Sequence, residues 1–470
     1  MYEPMDEAAE CYSAEINAGG QRRERKILGM VNEPPRQVPV RHAVDVLVVG
    51  GGPAGTAAAI AAGRLGAKVI LAERYNHLGG LSTGGLVIWI DRMTDWDGRL
   101  LIAGLGRELL DRLPKDAVLG PAESLWGSRA AEHVATWKPR ISAFHGIVTH
   151  SPMVDPEALK AVSLQAVREA GVKLLFHVWA SSAIVQDGRL NGVVFESKQG
   201  RFAVTAKVVI DTTGDGDIFA DAGETSASDI EPNNMHHCMN TSWLLGGVNN
   251  ETWLAFQSTA EFSDFTSRAR RELGLYEVAM ATWRNDVAVF MGPRWSGYSG
   301  LDVDDLTEVE LRSRDKMMQM LSWYRANAPG FKDAWILLTA PQIGVRQTRR
   351  LLGQGIMIRE DWRKGVVHDD EIAISPSLGP KFDPVSVPYR SLLPRGTSGL
   401  LVAGRHISTD ASSQTFMREI PQCWLTGHAA GVAAGLAANT GVSPSEMPVR
   451  DIQKALLHQG AHLRVFETAS

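Results

Sequence analysis

Residues 45–85, DVLVVGGGPAGTAAAIAAGRLGAKVILAERYNHLGGLSTGG, constrain this chain more than any other stretch. An apolar run at 46–49 reads as a strand buried on both faces. Gly50, Gly52 and Gly55 follow in G-x-G-x-x-G spacing, and Pro53 and Ala54 open an alanine-rich helix. A second apolar run, 68–72, ends on Glu73. Strand, glycine turn, helix, strand and acidic residue in that order form the fingerprint of a dinucleotide-binding unit.

Each part has a physical role. Gly50 permits the tight turn, Gly52 lets backbone approach a pyrophosphate, and Gly55 lets helix and strand pack closely. The helix N-terminus offers N–H donors and the positive end of its dipole to the phosphates. Glu73, followed by Arg74, can accept hydrogen bonds from an adenosine ribose, and its charge repels a 2′-phosphate. A second glycine cluster, residues 79–85, contains Gly80, Leu81 and Ser82. A nicotinamide domain has no evident need of it, whereas a longer flavin cofactor needs more backbone close to its pyrophosphate and ribityl chain. FAD is therefore the expected cofactor.

The chain has 470 residues, enough for two or three domains or for one large domain with an insertion. A net charge of −5 gives no electrostatic case for nucleic acid. The three cysteines, Cys11, Cys238 and Cys423, are far apart and form no Cys-x-x-Cys, which argues against an iron–sulfur cluster, structural zinc or a redox dithiol. There is no apolar run of about eighteen residues and no apolar leader core, so no membrane partner is expected. The expectation is a soluble cytoplasmic protein.

Residues 1–40 are polar and carry a basic cluster at 22–26, which reads as a flexible arm or as one lying across a partner subunit of a homo-oligomer. Residues 86–150 lack a clear period apart from a helix at 104–113, and they hold Trp89, Trp96, Trp126 and Trp137. His145, beside Gly146, is either a structural histidine or a member of a site. From 155 the pattern is regular: a helix over 156–170, a strand over 173–178, and alternating strands at 183–185, 192–195 and 202–205 around an Asp187-Gly188 turn, which suggest a small antiparallel sheet attached to the cofactor domain. A buried strand, 207–211, runs into Thr212-Thr213-Gly214-Asp215-Gly216-Asp217, a glycine turn at the strand end where α/β folds place their ligands.

Residues 221–385 are richer in Trp and Met, with helices expected at 261–273 and 306–326. His236 and His237 stand side by side here; neighbouring side chains point opposite ways on a strand, so a shared metal is not expected. Arg346, Arg349 and Arg350 form a basic knot able to hold a carboxylate or phosphate, or to pair with carboxylates across a domain boundary. Residues 399–406 repeat the texture of a buried strand ending in glycine. Residues 422–439 form an Ala/Gly helix, whose N-terminus aimed at a flavin would stabilise negative charge on the reduced ring.

Together, GGGPAG at 50–55, Glu73 with LGG at 78–80, IDTTGDGD at 210–217 and LLVAGRHIS at 400–408 resemble the FAD-dependent oxidoreductases, whose wider relatives include the fumarate reductase and succinate dehydrogenase flavoproteins. IGVRQTRRLLGQ (343–354), VPYRSLLPRG (387–396), GHAAGVAAGLA (427–437) and DIQKALLHQGAHL (451–463) extend the resemblance over residues 44–463. It implies that Gly50 to Gly55 hold the pyrophosphate and Glu73 the ribose, and that Gly80, Leu81 and Ser82 run beside the ribityl and flavin. It further implies that backbone up to Ala180 meets the adenine and that Thr213, Gly214 and Asp215 close over the phosphates. Gly404, Arg405, Thr426 and Gly427 would complete the flavin site. Two features depart from the family pattern: Gln347 stands where an acidic residue is common, and His406 and His428 replace other residues.

The sequence thus predicts an α/β fold with a Rossmann-like FAD-binding domain assembled from residues 41–220 and 386–470, and an inserted α+β substrate domain at 221–385. The expected function is a dehydrogenase or oxidase that moves a hydride between a small organic substrate and flavin N5. His145, His236 or His237 would serve as base, and Arg346 and Arg418 would anchor an anionic or carbonyl group. A flavin monooxygenase using transient NAD(P)H and a non-catalytic flavoprotein scaffold are the alternatives.

Overall fold

The computed structural model describes residues 12–13, 27–227, 238–274 and 278–464. The fingerprint folds first into β1 (Val40–Val49), α1 (Pro53–Arg64) and β2 (Val69–Glu73). Residues 46–49 and all of β2 are buried, as expected of strands covered on both faces. Asp155 caps α2 (Pro156–Glu169) by accepting from the Glu157 and Ala158 N–H groups. The chain then runs through β3 (Lys173–Phe176), β4 (Trp179–Gln186), β5 (Arg189–Glu196) and β6 (Phe202–Asp211). Asp187 and Gly188 join β4 to β5 with φ of 51° and 71°, the positive pair that a tight hairpin turn demands.

These strands make one sheet in the order β3-β2-β1-β6-β5-β4, with β7 (Leu400–Val402) also on β6. The antiparallel strands expected as a small sheet attached to the cofactor domain are a direct continuation of its main sheet. The reason lies in β6, a single ten-residue strand where two were expected. Its first half pairs antiparallel with β5 (Phe202 opposite Phe195), and its last residues pair parallel with β7 (Asp211 opposite Val402). Its other edge follows β1 for its whole length. One strand therefore serves the hairpin and the parallel layer, and no edge is left between them.

Against this sheet lies α3 (Ile420–Thr440), whose buried residues include Ile420 through Gly435. Gly427 and Gly431 face α1 so closely that a Cβ on them would stand 2.1 Å from the Ala54 carbonyl oxygen and 2.2 Å from that of Ala58. The small residues of both helices are what allow this approach.

A second core collects Trp243, Trp253, Phe265, Phe290, Met317, Tyr324 and Phe331. Helices Glu261–Leu273 and Val303–Asn327 surround a four-stranded sheet in which Trp243–Gly246 lies between Val287–Phe290 and Trp335–Thr339. Later residues of the stretch, among them Leu351, Ile372, Ala373 and Val385, pack instead into the first core. No described helix is long and apolar enough to cross a membrane.

Candidate FAD site and adjoining cavity

The ends of β1, β2 and β6 open onto a groove bounded by Gly50, Gly52, Pro53, Ala54, Glu73, Arg74, Gly80, Leu81, Ala180, Thr213, Gly214, Gly404 and Arg405. Gly50 has φ of 104°, and a Cβ there would meet the Thr212 carbonyl oxygen at 2.5 Å. At Gly52 a Cβ would meet no atom within 4 Å, and no side chain caps the α1 N-terminus that begins there. An open glycine wall beside an uncapped helix N-terminus is the cradle a pyrophosphate requires. Glu73 accepts from the Gly51 N–H at 2.5 Å and the Tyr75 N–H at 2.8 Å, which fixes its carboxylate at the groove wall. Arg74 stacks over Tyr75 at 5.1 Å and Trp179 at 5.0 Å.

The second glycine cluster lies on the first. Gly79 N–H donates to the Gly51 carbonyl at 2.8 Å, and a Cβ on Gly80 would stand 2.9 Å from the Gly52 Cα. The third segment is anchored by two buried aspartates. Asp211 accepts from Thr213 N–H (3.0 Å), Thr213 Oγ1 (2.7 Å), Ile218 N–H (3.1 Å) and Phe219 N–H (3.0 Å). Burial opposes its charge, but the His406 ring 3.3 Å away and these donors hold the carboxyl below its usual range. Asp215 is likewise desolvated, yet Arg405 at 2.6 Å, Arg74 and the Thr348 hydroxyl at 2.9 Å keep it ionised.

Five residues expected at the cofactor stand behind the groove. Gly55 presses on the Gly50 carbonyl, where a Cβ would be 1.8 Å away. The buried Ser82 hydroxyl donates to the Gly79 carbonyl at 2.7 Å. Asp215 is turned onto Arg405, Thr426 Oγ1 accepts from the Gly404 N–H at 3.1 Å, and Gly427 packs on Ala54. They hold the wall in shape. Asp217, from the expected glycine turn, lines the groove itself, as do Gln342, Ile420 and Cys423, which the sequence did not place there. His77 does not; it is buried beside Gly84, and burial lowers its pKa to about 4.

The family-model comparison matches residues 45–377 and 378–456 to the FAD dependent oxidoreductases. The chain belongs to this family. FAD is its cofactor, and the groove fits it: the glycine loop with the α1 N-terminus would hold the pyrophosphate, Glu73 the ribose, and residues 80–81 with 404–405 the flavin half. The thiamine thiazole synthase of Methanococcus vannielii is similar, 28% identical over 186 residues, which are 36% of this chain and 56% of that protein, so the match spans little more than half of that relative. Among solved structures, a geranylgeranyl bacteriochlorophyll reductase-like protein from Thermoplasma acidophilum is 14% identical with a TM-score of 0.46, over 89% of this chain and 84% of that one. The L-proline dehydrogenase from P. horikoshii is 12% identical with a TM-score of 0.42, over 91% and 100%.

At Leu81, Arg405, Arg418 and Ile420 the FAD groove of this oxidoreductase opens into a cavity of about 1560 Å³. Arg92, Arg294, Arg346 and Arg359 also line it, as does His145. Arg418 is paired with Glu419 at 3.1 Å just ahead of α3. Burial raises the Glu419 carboxyl's pKa despite that arginine, and Asp91 adds to the rise. Burial lowers the pKa of His145, so its imidazole is neutral at pH 7. His145 meets Trp96 edge-on, with ring centroids 5.1 Å apart. Arg346, Arg418 and His145 thus share one cavity, whereas His236 and His237 lie outside the described residues. Asp91, Arg92, Arg359 and Glu419 were not foreseen, although Glu419 directly follows the expected Arg418.

Proposed function

We propose that this chain is a dehydrogenase or oxidase for a small anionic organic molecule. The observation that supports the reading is the sharing of Arg405 and Arg418 between the FAD groove and a cavity that Arg346 also lines. When bound, FAD supplies a two-electron acceptor for a substrate C–H bond. Arg346 and Arg418 bind the substrate's anionic group, because a planar guanidinium fork matches a carboxylate or phosphate. Glu419 holds the Arg418 fork in place. His145, neutral at working pH, accepts the proton released from the substrate heteroatom. The unit built on the second core walls this cavity at Phe262, Ala279 and Phe290, in keeping with its reading as a substrate domain.

The test is anaerobic mixing of the holoprotein with a panel of small hydroxy and amino acids, alongside their neutral amides and alcohols, while the oxidised flavin absorption is followed. At least one anion should bleach the flavin. Arg346→Ala and Arg418→Ala should raise the concentration needed by about tenfold or more, as loss of a charged hydrogen bond does, with FAD retained. Bleaching by the neutral compounds alone would overturn the reading.

A further inference from the structure

The cavity lining contains a continuous ladder of rings and planar cations. The Arg359 guanidinium lies over Trp362 at 5.0 Å. Trp362 meets Phe416 at 6.1 Å with the rings 69° apart. Arg92 lies 5.6 Å from the centroid of Phe416 and 4.3 Å from that of Trp96. Trp96 in turn meets His145 at 5.1 Å and 74°. All six residues face the cavity that carries Arg346 and Arg418.

Such a wall suits a particular ligand. A guanidinium stacked on a ring keeps its N–H edge directed sideways, where it can still bind an anion. Arg359 is stacked in this way on Trp362. Successive rings set nearly perpendicular offer edge-to-face and stacking contacts that reward a further ring and give an aliphatic chain nothing specific.

From this ladder we infer that the substrate is an aromatic anion, a ring bearing a carboxylate or a comparable acidic group. The ring packs among Trp96, Trp362 and Phe416, and the anionic group is met by an arginine. This inference rests on the proposed anion-binding function of the same cavity.

Binding can be measured without turnover, through perturbation of the flavin absorption band of the holoprotein. Benzoate and phthalate, succinate as an aliphatic dianion, and benzyl alcohol as a neutral ring are the probes. The aryl carboxylates should bind about tenfold or more tightly than either succinate or benzyl alcohol. Trp362→Leu should weaken benzoate by about tenfold and leave succinate within about twofold. Arg359→Lys, which keeps the charge and loses the planar stack, should weaken the aryl anions and provides a second variant should Trp362→Leu fail to retain FAD. Succinate binding as tightly as benzoate would overturn the aromatic inference and leave the anionic one standing. Benzyl alcohol matching benzoate would overturn the anionic reading itself. No perturbation by any probe would overturn the inference as well.

Discussion

Two glycines three positions apart in the same motif have opposite physical duties. A Cβ on Gly52 meets no atom within 4 Å, and its φ of −67° suits any residue, whereas Gly55 has no room for a methyl group. Gly52→Ala should therefore leave the apoprotein's melting temperature within a degree or two of the parent, because the added methyl group touches no protein atom and stands in the path of the pyrophosphate. It should lower FAD affinity by about a hundredfold, the order of a lost helix–phosphate contact plus a clash. Gly55→Ala should do the reverse, destabilising the fold by about 1–3 kcal/mol through overpacking. Calorimetry of the two apoproteins and fluorescence titration with FAD separate these outcomes; equal stability losses would show that Gly52 faces protein after all. Gly50, Gly52 and Gly55 were legible because their spacing is itself the constraint. Arg359 and Glu419 were not, because a charged residue reads alike on a surface and in a cavity until its neighbours are known.

At the scale of elements, the contact of α1 with α3 decides how the C-terminal segment meets the cofactor loop. Both helices are written in Ala and Gly, and their backbones approach until Gly431 abuts the Ala58 carbonyl. Gly431→Ala should cost about 1–3 kcal/mol by forcing the helices apart, despite the better helix propensity of alanine. It should also weaken FAD binding, since Gly404 and Thr426 are tied to that packing. A denaturant midpoint equal to or above that of the parent would contradict the close contact. The helices at Glu261–Leu273 and Val303–Asn327 were legible from apolar spacing, and Asp302 visibly caps the second. The merging of the hairpin with the main sheet was not. Alternation and turn residues report that strands exist and how neighbours connect, but they carry nothing about β6 sharing one edge between β5 and β7.

For the whole molecule, burial of histidines makes stability depend on pH. Burial lowers His428 to about 4 and His150 to about 3, with the neutral His428 ring hydrogen-bonded to Gln459 at 3.1 Å. Above the unfolded value near 6.5 both states are uncharged and stability is complete. As pH falls, the unfolded chain takes up protons that the folded chain refuses, so stability is lost between 6.5 and about 4. At pH 5 each histidine accounts for about 2 kcal/mol. Glu419, raised by burial, works in the opposite direction as it is protonated, so the His428→Gln difference is the clean measurement. Denaturation at pH 7.5 and pH 5 should show a smaller loss in that variant; an identical loss would exclude His428 as a contributor.

The sequence by itself determined the cofactor unit. Glycine spacing, apolar runs and a terminal acidic residue are local chemistry, and a backbone that must turn tightly and admit a diphosphate has few other solutions. Only the tertiary structure decided which of the remaining residues share a cavity with the cofactor groove. Residues 91, 92, 96, 145, 346, 359, 362, 416 and 418–420 meet in one cavity because a shared sheet and two close helices bring distant segments together. No pattern along the chain encodes that meeting, since it follows from packing between elements and not from the period within any one of them.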